Sequence, residues 1–294
     1  VFNTAKLTLV SVSEELDDDI QVLICVNGLV VCGSGSFVYV FKRGKLVTKL
    51  HEHKSTVDHL LPVGRGCLSL SSADGLVVWW DLSQFFDRDT RRTTRRKAMD
   101  KEETVTDDVE QTSVVHSFRL PSSFKVMCWA HPPTHLNKIL LGGANGEVQL
   151  WNYRTQRHLY TFKLNTHLKT DYLRILTSKE GQKESRIEPK VTAIEPAPAL
   201  DVVAVGFSDG RVVLHNIVYD ETITTLQQGS MQGSISNLSF RTSLIPTEAD
   251  DSPSNIPVLA ATGTNGDVVL WDLTARRVQH TLKGSPFLLC FSSQ

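Results

Sequence analysis

The chain has 294 residues, of which 40% are hydrophobic and 21% charged, with 31 Lys and Arg against 32 Asp and Glu and a formal net charge of −1. Such a composition belongs to globular chains long enough to bury a sizeable core. It excludes a strongly basic nucleic-acid domain taken as a whole, and the roughly 18 or more consecutive apolar residues that a membrane-crossing helix needs are nowhere present.

From the N-terminus, Leu7 to Val12 is a short strand-like run, and residues 20–50 hold further strand-like segments around Ser34-Gly35-Ser36, with Phe41-Lys42 closing one of them. A sharper unit then appears four times. Asp74-Gly75 precedes Trp80-Asp81, Asn145-Gly146 precedes Trp151-Asn152, Asp209-Gly210 precedes His215-Asn216, and Asn265-Gly266 precedes Trp271-Asp272. In every copy the ring-bearing residue comes five positions after the glycine and is followed by an acid or its amide. A unit that returns through a whole chain signals a repeat architecture, and the Trp-Asp pair at a strand end marks a β-propeller blade.

Each Asn-Gly or Asp-Gly is expected to close a two-residue hairpin between a blade's second and third strands, with positive φ at both central positions. The third strands that follow, such as Gly146 to Asn152 (GEVQLWN) and Gly266 to Leu273 (GDVVLWDL), alternate at period two. Trp80, Trp151 and Trp271 are expected to pack between blades. Ahead of the turns lie small-residue strands, Leu68 to Ser72, Ile139 to Gly143, Val202 to Phe207 and Val258 to Gly263, a choice that suits crowding near the propeller axis. Opening strands are expected at Thr56 to Val63, Lys125 to His131, Val191 to Ala197 and Ile235 to Arg241, and outer strands at His158 to Leu164 and Val278 to Leu282.

The fold class is therefore an all-β WD-repeat β-propeller. Five four-stranded blades are visible, near residues 20–50, 56–120, 125–164, 191–226 and 235–282. Leu7 to Val12 reads as the outer strand of a blade lying upstream, and Pro286 to Ser292 as the first strand of one continuing downstream. Because open sheet edges are a hazard that closed rings avoid, residues 1–294 are expected to be most of an N-terminal, seven-bladed ring within a longer protein.

Three inserts interrupt the repeat, at 83–113, 165–190 and 243–257. The first places Arg88, Arg91, Arg92, Arg95, Arg96 and Lys97 ahead of an acidic run from Asp100 to Glu110. Arg91, Arg92, Arg95, Arg96 and Lys97 form the one cluster nominated for contact with phosphate or an acidic partner; the alternative is a solvated loop whose charge blocks partly cancel. The second insert carries Tyr172, Leu173, Ile175 and Leu176, as a docking segment or as an anchor on its own blade. The third is polar and contains proline, hence a loop.

Catalytic motifs fail on context. Gly206 to Gly210 matches the G-x-S-x-G elbow, yet a strand follows where that motif requires a helix, so Ser208 is a turn residue. Gly33-Ser34-Gly35-Ser36 lacks the third glycine and the helix of a phosphate cradle. His51, His53 and His59 cluster beside Glu52, but the better reading is structural. Cys25, Cys32, Cys67, Cys128 and Cys290 are dispersed, odd in number and without a C-x-x-C pair, which points to small buried hydrophobes in a reducing compartment. No catalytic residue, metal or cofactor is expected. Resemblance to WD-repeat blades adds a hydrogen-bonded network of His51 or His53, Ser71 or Ser72, Asp74 and Trp80. The other blades keep only parts of it.

Particular segments are more specific than the repeat: Val57-Asp58-His59-Leu60-Leu61, Leu136 to Gly142 (LNKILLG), Ala197 to Ala204 (APALDVVA), Ile235 to Thr242 (ISNLSFRT), Val40 to Lys45 (VFKRGK) and His215-Asn216-Ile217. Together they resemble the tandem-propeller WD-repeat subunits of the small-subunit processome, among the U-three small nucleolar RNA-associated proteins of the UTP-B subcomplex. The resemblance covers nearly all the chain outside the inserts, and the long basic insert after Leu82 departs from it. It implies a non-catalytic scaffold in the nucleus and nucleolus, acting in early ribosomal small-subunit assembly and precursor-RNA processing. The implied partners are other WD-repeat subunits of UTP-B and processome proteins, with precursor or small nucleolar RNA met indirectly, and neither membrane nor small-molecule substrate. The alternative is a WD-repeat adaptor of another complex, such as a ubiquitin-ligase receptor or a trafficking coat.

Overall fold

In a computed structural model of the protein, residues 2–3, 8–9, 12–13, 15–86, 113–162, 164, 189–198, 200–227, 233–241 and 257–284 are described. They fall into two compact units, 1–123 and 124–294. The basic cluster Arg91, Arg92, Arg95, Arg96 and Lys97, the apolar group Tyr172, Leu173, Ile175 and Leu176, the loop at 243–256, and the strand expected at Pro286 to Ser292 lie outside the described residues.

In the first unit, β1 (Phe2–Asn3) pairs with β2 (Thr8–Leu9). A four-stranded antiparallel sheet follows, of β3 (Ile20–Val26), β4 (Leu29–Ser34), β5 (Phe37–Lys42) and β6 (Lys45–His51). The next sheet joins β7 (His59–Val63), β8 (Gly66–Ser71), β9 (Leu76–Asp81) and β10 (Val114–Arg119), with a 3-10 turn at Ser83–Phe85.

The second unit holds three such sheets: β11 (Val126–Ala130) to β14 (Arg157–Phe162) through β12 (Lys138–Gly143) and β13 (Val148–Asn152); β15 (Val191–Pro196) to β18 (Glu221–Leu226) through β16 (Val202–Phe207) and β17 (Val212–Asn216); and β19 (Ile235–Phe240) to β22 (Arg277–Leu282) through β20 (Val258–Gly263) and β21 (Val268–Asp272). All five four-stranded sheets are meanders in which chain neighbours pair. Each is a blade of a WD-repeat β-propeller.

Blades stack through apolar faces. Val31, Val38 and Val40 of β4 and β5 pack with Val57, Leu60, Val78 and Trp80, and Ala204 and Leu214 pack with Ile235, Leu238, Leu259 and Trp271. Glycine in the second strand makes this approach possible: a methyl group on Gly142 would stand 2.5 Å from Cγ1 of Val191, and one on Gly206 2.5 Å from Cγ2 of Ile235. The small residues of the second strands thus answer to the first strand of the next sheet. Those first strands, β11 beside β15 and β15 beside β19, are the ones that adjoin from sheet to sheet, which corrects the expectation of second strands at the axis.

The turns differ from the two-residue hairpins expected. Only the glycines Gly75, Gly146, Gly210 and Gly266 take positive φ, from 66° to 85°. Gly143 N–H donates to Glu147 O at 2.9 Å and Gly146 N–H to Gly143 O at 3.1 Å, and Phe207 to Arg211 and Gly263 to Asp267 repeat the pattern. These three are three-residue loops, a tight turn closed by a left-handed glycine, while the turn at Asp74-Gly75 has four residues, with Gly75 N–H donating to Ser71 O at 2.9 Å. The preceding acid or amide acts through its side chain instead. Oδ1 of Asp74, Asn145, Asp209 and Asn265 accepts the backbone N–H two residues on, at 3.0, 3.3, 3.3 and 3.2 Å, an Asx turn. True two-residue hairpins with two positive φ values do occur, at Asn27-Gly28 and Arg43-Gly44, and the sequence reading passed over both.

Candidate interaction surfaces and the networks behind them

The ring that ends each third strand is buried: Trp80, Trp151, His215 and Trp271 are 1%, 6%, 0% and 5% exposed. What differs is the polar atom that each ring meets. Trp80 Nε1–H donates to Ser69 Oγ at 2.7 Å, and Ser69 Oγ lies 2.6 Å from His53 Nε2. The hydroxyl oxygen accepts from the indole and keeps both a proton and a second lone pair for His53, so a neutral imidazole fits in either tautomer. Burial, outweighing the nearby carboxylates of Asp74 and Asp58, lowers the His53 pKa to about 4, in keeping with that role.

The serine of the network is therefore Ser69, not Ser71 or Ser72, and Asp74 contributes only through its field. Ser71 lies on the same face of β8 but one pleat further from Trp80, whose strand partner is Cys67; Ser72 uses its N–H on Asp58 Oδ1 at 3.0 Å. His51 is exposed with its ring 4.7 Å from that of Phe37. Among the described residues no group of three His, Cys, Asp or Glu side chains is placed to hold a metal ion.

In the other sheets the residues matching Ser69 are Leu141, Val205 and Ala261, two positions beyond the partners Ile139, Val203 and Leu259 of the terminal ring. None offers an oxygen. Trp151 turns to Gln149 Oε1 at 3.0 Å. Trp271 Nε1 is buried with no partner among the described residues. His215 builds a different network: Nε2 is 3.2 Å from Asp220 Oδ1, Nδ1 is 3.3 Å from Thr222 Oγ1, and the ring meets Phe162 edge-on at 5.5 Å. Asp220 Oδ2 also accepts from Tyr160 Oη at 2.6 Å, linking two sheets. Burial lowers the His215 pKa, with Asp220 opposing.

The acid or amide after each ring caps the next turn. Asp81 Oδ1 accepts from Ser83 N–H at 2.9 Å; Asn152 from Arg154 and Thr155, both at 3.0 Å; Asn216 from Val218 and Tyr219 at 2.9 and 3.1 Å; and Asp272 from Ala275 at 2.9 Å. The Asp of the Trp-Asp pair is thus a backbone ligand. A further tie is Asp209, whose Oδ2 takes Arg211 Nε and Nη2, each at 2.6 Å, a fork grip that carries Arg211 inward.

Ser208 stands in a turn between two strands, its Oγ accepting from Lys190 N–H at 3.0 Å. Cys32, Cys67 and Cys128 are free thiols that burial pushes up to about 11, 12 and 12. Cys25 is exposed instead, on β3. The surface features that sequence reasoning missed are apolar residues inside turns, Leu136, Leu200, Val218 and Tyr219, which period-two counting along strands does not reach.

Residues 1–285 match the family described as WDR36/Utp21 first beta-propeller. Human WD repeat-containing protein 36 is 29% identical over 285 residues, 97% of this chain and 25% of its own length. The U3 small nucleolar RNA-associated protein 21 homolog of Schizosaccharomyces pombe is 25% identical over 289 residues, again 97% and 25%. U3 small nucleolar RNA-associated protein 21 of Saccharomyces cerevisiae is 32% identical over 142 residues, 47% of the chain and 14% of its own length. The chain spans about a quarter of the length of the first two relatives. With the family matched over nearly every residue and five propeller blades in the fold, the chain belongs to the WDR36/Utp21 first β-propeller family.

Proposed function

We propose that the protein acts as a non-catalytic scaffold in small-subunit ribosome biogenesis, within the processome, where it supports early processing of precursor RNA from the nucleolus. The observation that carries this reading is the family match over residues 1–285 together with relatives named as U3 small nucleolar RNA-associated proteins. The physics of the fold agrees: turns held by Asx caps on buried, interlocked sheets present loops with little ordering cost on binding. A net charge of −1 favours protein contacts over direct RNA binding by the propeller body. Other UTP-B subunits are the partners in this reading, and Arg91, Arg92, Arg95, Arg96 and Lys97 remain the nominated contact cluster of the first insert.

The test is sedimentation of the tagged full-length protein from a nuclear extract. Co-migration in a large particle with precursor ribosomal RNA and U3 RNA is expected. Migration in light fractions with ligase adaptors or coat subunits would overturn the reading.

A further inference from the structure

In the unit spanning 124–294, the connections from first to second strand and the turns from third to fourth strand leave from one end, because Lys138 pairs with Asn152, Val202 with Asn216 and Val258 with Asp272. Four large apolar side chains stand in solvent there: Leu136 at 80% exposure, Leu200 at 63%, Val218 at 53% and Tyr219 at 77%. Their loops are tied together. His135 Nδ1 lies 3.6 Å from Asp201 Oδ1, and Ile217 N–H donates to Asp201 O at 2.9 Å. Leu136, Leu200 and Val218 each sit one residue from a member of these pairs. Single exposed leucines need no explanation, but an apolar group gathered on braced loops does. The turns at the opposite end are built from Asn145-Gly146-Glu147, Ser208-Asp209-Gly210 and Asn265-Gly266-Asp267.

Among the described residues, exposed charge at the apolar end is one-sided. Arg154, Arg157, Arg276 and Arg277 are exposed there, and none has a carboxylate partner among the described residues. Of the acids nearby, Asp201 faces His135, Asp220 holds His215 and Tyr160, and Asp272 caps its turn, while Glu221 stands in solvent. Among the described residues, the exposed unpaired charges at this end are thus four positive and one negative.

We infer that this end is a docking surface for a protein segment that presents aliphatic side chains flanked by carboxylates. Leu136, Leu200, Val218 and Tyr219 supply the apolar centre, and the arginines supply a cationic rim, the arrangement of a desolvated core inside a polar ring. Protein is favoured over single-stranded RNA because stacking on bases needs successive aromatic faces, and three of the four apolar residues are aliphatic. The inference rests on the scaffold reading for the existence of a protein partner, and on the geometry for its place and chemistry.

The test is site-specific photo-cross-linking in cells with the full-length protein, placing p-benzoylphenylalanine at Tyr219 or Leu136 and, as controls, at Glu147 or Thr264. Mass spectrometry then identifies the attached peptide. Expected is a protein segment rich in Asp or Glu around Leu, Ile or Val, captured at least tenfold more from Tyr219 than from Glu147. Paired Arg154→Glu and Arg276→Glu substitutions should cut that yield at least fivefold, while Glu147→Lys leaves it unchanged. Thermal melting of each variant checks the fold, and Arg154→Lys with Arg276→Lys should keep most of the yield. RNA, a basic segment, residues 243–256 of the same chain, or no excess over the controls would each overturn the inference. Sedimentation with the processome is read separately, so that reading can fail while the docking surface stands.

Discussion

The second and fourth of the four-stranded sheets bury a different ring at the same strand position. In one, Trp80 reaches Ser69 on the neighbouring strand, and Ser69 reaches His53. In the other, His215 reaches Asp220 in the following turn and Thr222 on the outer strand. Both rings are almost wholly buried, so burial is common and the polar partner is local. These blades share a large flat buried side chain at this position, while the partner of its polar atom differs from blade to blade and is missing for Trp271 among the described residues.

The largest test of that comparison removes the ring. Trp80→Ala should cost about 3–5 kcal/mol, through the cavity and the loss of the donor to Ser69, read as a lower urea midpoint. Trp80→Phe should fall between alanine and the parent protein; equal stability of Phe and Trp would show that the network contributes nothing.

Next come the sheet-to-sheet approaches. Gly206→Ala places a methyl against Ile235 and should cost about 1–3 kcal/mol by overpacking, whereas the same change at Gly28, where nothing stands within 4 Å, costs only the strain of its left-handed backbone.

Acid separates the two networks further. His53 and His215 have folded pKa values below their unfolded ones, so the unfolded chain takes up protons first. Their stabilisation is complete above about pH 6.5 and is lost as pH falls, for His53 down to about 4. Glu195 runs the other way: burial raises it to about 7, so its penalty grows as pH rises from about 4.5 to 7. Glu195→Gln should therefore raise the urea midpoint more at pH 8 than at pH 5, and an equal gain at both would refute the assignment. His53→Gln should flatten the acid limb.

A smaller effect repairs what one blade lacks. Trp271 Nε1 has no partner among the described residues, and Ala261 stands where Ser69 stands in the other sheet. Ala261→Ser should raise stability by up to about 1 kcal/mol. Asn145→Ala, which removes an Asx cap, should cost about 1 kcal/mol, and Tyr160→Phe, at an exposed bond to Asp220, less than that.

Much of the fold was legible because each blade is a local object. Period-two alternation located Val148–Asn152 and Val268–Asp272, and Asn-Gly or Asp-Gly located the turns. Turn geometry was less legible: both a two-residue hairpin and a three-residue loop use Asn-Gly, and the choice lies in strand register and in the Asx bond. The serine of the Trp80 network was misplaced by one pleat, since Ser69 and Ser71 share a face and only distance across the sheet decides between them.

The sequence by itself determined the repeat, the strand order and the residues of the buried rings, because hydrogen bonding between chain neighbours and alternation act over a few residues. Tertiary structure alone decided that Gly142 and Gly206 answer to Val191 and Ile235 in the next sheet, that His215 takes its carboxylate from Asp220, and that the exposed Leu136, Leu200 and Tyr219 share one end of their sheets with arginines that have no carboxylate partner among the described residues. Those relations join segments far apart in the chain, and only packed sheets bring them within the few ångströms over which contacts and hydrogen bonds act.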